Sequence, residues 1–163
     1  MSRLGMLYAI TDDEVELLKN KNENDMYGFM LDSIENNYIS TSRACDLNKA
    51  WEGIHFCIHN GAWVEDESVQ SKVIFCGVFL LDSQDYVITL KNTDDINEIV
   101  AFLDSVNLED IIRSGYKNID PSGYTLPMGD DGLDFILGWS EELKSFYENA
   151  QKNNLNVIFT VDL

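Results

Sequence analysis

The chain has 163 residues, 29 of them Asp or Glu against 11 Lys or Arg, for a formal charge of -18 at pH 7. Such a field repels phosphate backbones and anionic lipid, so it argues against nucleic-acid and membrane partners and would draw in a basic protein. Apolar residues at 45% are enough for a buried core, and the length is that of one domain over residues 1–163. The three cysteines, Cys45, Cys57 and Cys76, form an odd set without a C-x-x-C pair, which fits a reducing compartment. Residues 4–10 are too short and too quickly followed by acids for an export signal, and the apolar run 73–81 is about half a bilayer span. A cytoplasmic protein is the expectation.

Residues 4–10 alternate as a strand. Thr11 and Glu14 then stand three apart as a capping box for a helix expected to bury Val15, Leu17 and Leu18. A second helix, starting after Asn24, carries Met26, Phe29, Met30 and Ile34 at helical spacing. Residues 38–41 read as a short strand or a connection. The clearest helix is expected to follow Asp46 as N-cap, with Leu47, Ala50, Trp51, Ile54 and Ile58 on one stripe and Asn48, Glu52, His55 and His59 on the other. Gly53 inside it costs about 1 kcal/mol relative to Ala unless a neighbour uses the space.

The β-branched and aromatic run 73–81 predicts one buried strand, with Gly77 as a candidate bulge. A second strand follows at 86–90 after a turn at 83–85, then a helix capped by Thr93 and a short one over 108–113. Residues 115–132 hold both prolines and four glycines, a long loop of the kind that often carries function. One helix is expected over 133–152, interrupted near Gly138 with Ser140 as a second cap, and a closing strand over 156–163. Strands at both ends with helices between them predict an α/β fold: a mixed sheet with helices on both faces, a three-layer sandwich in a single domain.

Chemical motifs are few. Glu52, His55 and His59 share a helical face, but Phe56 stands where a zincin needs Glu, and a polar helix face needs no metal. A calcium loop from Asp130 fails because Gly132 holds the third position and Phe135 the place of the turn glycine. No nucleophile elbow, Walker loop or dinucleotide fingerprint occurs. No catalytic residue, metal site or cofactor is assigned on these grounds.

The stretch Asp46-Leu47-Asn48-Lys49-Ala50-Trp51-Glu52-Gly53-Ile54-His55-Phe56 resembles the D-[IL]-x-K-x-W-x-x-[IL]-H-[FY] motif of the YfbM-like bacterial proteins, a family of uncharacterised domains. Gly5-Met6-Leu7-Tyr8 and Glu142-Leu143-Lys144-Ser145-Phe146-Tyr147 are similar to that family's opening and closing segments. The resemblance implies an α/β sandwich without an established activity, and it marks Asp46, Lys49, Trp51 and His55. Where the family has Tyr-Pro in its late loop, Tyr124 and Pro127 here are separated by Thr125 and Leu126.

Two functions remain open from the sequence. One is a non-catalytic binding domain, immunity-like, that neutralises a basic partner such as a toxin. The other is a small-molecule binder or enzyme with a pocket between His55 and the 115–132 loop, its polar groups being His55, Lys49, Tyr116 and Tyr124. Asp46 and Trp51 read as structural, cap and core respectively.

Overall fold

A computed structural model describes residues 3–163. Strand β1 (Gly5–Ile10) sends Leu7 and Ala9 into one core and Tyr8 and Ile10 into another, on opposite faces of one sheet. It pairs with β2 (Ala44–Asn48) on one side and β5 (Asn156–Asp162) on the other; β5 pairs with β4 (Tyr86–Lys91), and β4 with β3 (Val78–Asp82). The order is β2-β1-β5-β4-β3, and every pair is antiparallel. The first and last strands therefore meet in the middle of the sheet. Helices lie on both faces, as expected of an α/β sandwich.

The larger core lies under α4 (Ala50–Ile58), α6 (Thr93–Ser105) and α9 (Leu143–Lys152), with α7 (Leu108–Tyr116) and α8 (Asp130–Ser140) packed outside α4. Trp51 is its centre. Its ring lies 5.9 Å from Phe75 and 5.4 Å from Phe159, and its Nε1 donates to Arg3 O at 2.9 Å. A Cβ on Gly5 would collide with this indole, which explains a glycine at the start of a buried strand. Gly53 is used in the same way, since the Tyr124 hydroxyl and Ile136 fill the space of its missing side chain.

The other face is covered by α1 (Asp12–Lys19), α2 (Glu23–Phe29), a π-helical turn (Met30–Glu35) and α3 (Asn36–Tyr38). The Thr11–Glu14 capping box is present, but Leu17 is 52% exposed and only Val15 and Leu18 are buried from α1. Asn22 caps α2, two residues earlier than the sequence suggests.

Four local expectations are corrected. Asp46 caps no helix: it lies in β2, its Oδ1 accepts from Asn48 N at 2.7 Å, and α4 begins at Ala50 after Lys49. Pairing with β1 extends the chain here, and Asn48 at φ 49° turns it into α4. The run 73–81 is not one strand. Short helix α5 (Val69–Lys72) leads into buried Val73, Ile74 and Cys76, and Gly77 at φ 152° precedes β3, with the Leu90 carbonyl where a Cβ would sit. The register shift lies later, between Phe79 and Leu81. Asn92 rather than Thr93 caps α6, in a capping box with Asp95, and Ser140 ends α8 with its hydroxyl on Leu137 O instead of capping α9.

One buried group stands out. Lys91, at the end of β4, is fully enclosed; its Nζ donates to Ile74 O at 2.7 Å and Thr89 Oγ1 at 2.8 Å. Burial pulls its pKa down to about 7.

Candidate functional site

His55 is fully buried. Its Nε2 sits 2.7 Å from Val64 O, which must receive a proton, so Nε2 is the N–H and Nδ1 carries a bare lone pair with no partner among the described residues. Rings of Trp63 at 4.5 Å and His59 at 4.6 Å close over it. Burial pulls the imidazole down to about pKa 4, so it is neutral near pH 7. His59 links the backbone of α4 to a side chain of α5: its Nδ1 donates to His55 O at 2.8 Å and its Nε2 lies 2.9 Å from Ser71 Oγ.

The other residues of that expected pocket are spread apart. Lys49 is exposed at the start of α4. The Tyr116 hydroxyl donates to Gly129 O at 3.0 Å, and Tyr124 is buried edge-on against Phe56 with ring centroids 5.7 Å apart. Those two tyrosines come together over α4 and hold the loop, which is shorter than expected, since α7 runs to Tyr116 and α8 starts at Asp130. His55 instead faces Val64 and Trp63, away from them. A ligand reaches His55 only if the Trp63 segment moves. Glu52 is likewise engaged, its carboxylate accepting from the Thr125 hydroxyl at 2.5 Å. The loop does carry a cavity of about 290 Å³, apolar in character, between Tyr124, Leu126, Pro127 and Phe135.

A different site lies across the sheet, and the sequence reading missed it. Helices α1 to α3 cover Ile10, Ile88, Leu90 and Ile158 but leave the opposite end of the same face open. There the register places Met6 beside both Asp46 of β2 and Thr160 of β5, and Tyr86 beside Asp162. The period-2 alternation that buries Leu7, Leu47, Phe159 and Val161 on one face brings these residues together on the other. A groove of about 270 Å³ results, floored by Met6 and Tyr8 and walled by Leu31 and Glu35 of the π-helical turn. It continues past Tyr27, Tyr86 and Asp162 into a second hollow of about 410 Å³ that adds Glu23 and Asp85.

The chemistry of the groove is uniform. Five carboxylates line its two hollows (Glu35, Asp46 and Asp162 in the first, with Glu23 and Asp85 in the second), and no Lys or Arg does among the described residues. Its rim is apolar and open, with Leu4, Tyr27 and Ile39 each between 43% and 48% exposed. Tyr27 and Tyr86 meet edge to face at 5.1 Å where the hollows join. Burial, reinforced by Glu35, Tyr86 and Asp46, lifts the Tyr8 phenol well above its usual range. Burial likewise pushes Tyr86 up to about 12, against the pull of the Thr160 hydroxyl. Both phenols are therefore neutral, able to donate or accept, and the charge of the groove is that of its acids. The one sequence-marked residue here is Asp46, in a role the sequence did not suggest. The signal available was the outward alternation of Asp46, Thr160 and Asp162 along β2 and β5.

A domain of unknown function, DUF1877, matches residues 1–160. The chain belongs to the DUF1877 family. The crystal structure of YfbM from Escherichia coli, a protein of unknown function, is similar with a TM-score of 0.70 and 15% identity, covering 97% of this chain and 99% of that one. At that identity the likeness is one of fold. No curated protein matches the chain. Among the described residues no helix is long and apolar enough to cross a membrane, and no three His, Cys, Asp or Glu side chains are grouped to hold a metal ion.

Proposed function

We propose that this DUF1877 protein is a non-catalytic binding domain that receives a basic protein partner on the open end of its sheet, in the manner of an immunity protein neutralising a toxin. The observation that carries this reading is the groove itself: five carboxylates and exposed Leu4, Tyr27 and Ile39 on one surface, without a lining cation among the described residues. An apolar patch within an acidic field is suited to a partner that brings both apolar and cationic side chains. The overall charge of -18 would speed its arrival at low salt. Capture from a lysate of the source organism tests it, comparing wild type with a Glu35→Gln, Asp46→Asn, Asp162→Asn triple variant. The expected result is one identifiable basic protein held by wild type, released by raised salt and absent from the variant. Retention of no basic protein, or equal retention by both, would refute it.

A second reading, an apolar small ligand in the late loop, has the Tyr124–Phe135 cavity in its favour. A thermal-shift screen of apolar metabolites on wild type and Gly132→Leu separates the two, because the groove lies across the sheet from that loop.

A further inference from the structure

We infer that the Tyr8 end of the groove is a pocket for one arginine side chain of the partner. This rests on the reading of the groove as the partner-binding face and names what occupies its deepest part. The observation behind it is separate from the acidity. Tyr8 is 1% exposed, yet among the described residues its hydroxyl makes no hydrogen bond, while its ring forms part of the groove floor. By contrast the hydroxyls of Tyr38, Tyr116 and Tyr147 are all satisfied, by Glu14, Gly129 O and Val73 O. Unlike His55 Nδ1, this oxygen is not sealed from solvent: it opens onto the groove, where an incoming donor can take the place of water on it.

The surroundings select the ligand class. Glu35 and Asp46 reach the floor from two different elements, the π-helical turn and β2, on either side of Tyr8 and Met6. The turn is what sets Glu35 there: the Asn36 N–H donates to Leu31 O, five residues back, and this wider turn advances the following residue around the helix. Between the acids the walls are apolar, from Met6, Leu31 and Ile39. A divalent cation needs six or more oxygens around it, and such walls cannot supply them. An ammonium is compact and strongly hydrated, so apolar walls penalise it. A guanidinium is flat, weakly hydrated and stacks on aromatic rings, and it carries five N–H donors for separated acceptors. The Tyr8 oxygen would accept one of them, with the carboxylates of Glu35 and Asp46 taking others.

The test is an amide-resolved NMR titration of the full chain with N-acetyl-argininamide and, separately, N-acetyl-lysinamide at low salt. Arginine is expected to shift the amides of Met6, Tyr8, Tyr86 and Thr160, with lysine at least about fivefold weaker. Tyr8→Phe, which removes only the hydroxyl, is expected to weaken arginine binding about fivefold. Glu35→Gln, at a half-buried surface position that spares the core, is expected to weaken it about tenfold. Equal binding of the two probes, shifts confined to other surfaces, or no loss in both variants would overturn the pocket. Should a basic partner be captured while arginine leaves these amides unmoved, the pocket falls and the partner reading stands. Arginine bound here with no basic protein captured overturns the partner reading and the side-chain source together, leaving a free guanidino compound as the ligand.

Discussion

The two faces of the sheet use the same strands to opposite ends. On the α4–α6–α9 face, alternate residues such as Leu7, Leu47, Val157 and Phe159 are fully buried, and Trp51 locks them together. On the other face, burial is complete only beneath α1 to α3, and the strand ends carry Asp46, Thr160 and Asp162 into an open groove. Both faces also hold polar groups that ought to be costly, but they treat them differently. The closed face encloses Lys91 and His55 with carbonyl partners, although His55 Nδ1 has none among the described residues. The open face leaves the Tyr8 hydroxyl without a carbonyl partner among the described residues, at the floor of the groove. Enclosed groups on the first serve the fold; on the second, a phenol oxygen open to the groove is placed to accept from something that binds.

The contrast can be broken most forcefully through Lys91. Its pKa falls from its ordinary value to about 7 on folding, so between pH 7 and pH 10 the unfolded chain holds the proton and the native chain does not. The contribution of Lys91 to stability should therefore rise with pH across that window, by an amount on the order of 5 kcal/mol if the shift is fully expressed, and be constant below pH 7. Above pH 10 the raised phenols of Tyr8 and Tyr147 act in the opposite sense. Lys91→Met should abolish the rise in urea-unfolding series, although Ile74 O then loses its donor.

Next in size is Trp51→Ala, which should cost about 4 kcal/mol in the same assay by emptying the centre of the closed core. It should leave the groove chemistry unaltered. His55 follows. Its pKa is about 4 in the fold against an ordinary 6.5, so the stability it confers is full above pH 6.5 and is lost as pH falls towards 4, by about 3 kcal/mol. In His55→Gln that acid-side loss should shrink, as read from unfolding midpoints between pH 4 and pH 8. The smallest effect belongs to the open face: Asp46→Asn keeps the oxygen that accepts from Asn48 N and relieves like-charge repulsion. It should change stability by less than about 0.5 kcal/mol, and upwards, in a thermal melt. A loss of more than 2 kcal/mol there would mean the groove acids hold the fold together, and the comparison of faces would fail.

Local signals were legible wherever a short-range bond decided the outcome. Thr11 with Glu14 closes its capping box within three residues, and the alternation of residues 156–163 needs only a sheet to lie on. Asp46 misled because Asp is a good N-cap and the helix pattern begins nearby. What overrode that preference was pairing with β1, some 40 residues earlier. The apolar run 73–81 misled for a related reason: periodicity cannot tell a buried turn from a strand, and here Gly77 turns the backbone against Leu90. His55 was singled out by the family motif and by its chemistry, but its burial depends on Val64, Trp63 and Phe75, all from a segment the helix pattern does not describe.

By itself, then, the sequence determined the charge, the class of fold, the family resemblance and most element centres, because each depends on composition or on neighbours a few residues apart. Tertiary structure alone decided which face would be closed and where the acids would gather. The groove takes its residues from β1, α2, the π-helical turn, β2, β3, β4 and β5, which span nearly the whole chain. Only the antiparallel register of the sheet, with the first and last strands side by side at its middle, puts Tyr8, Asp46, Tyr86 and Asp162 on one surface.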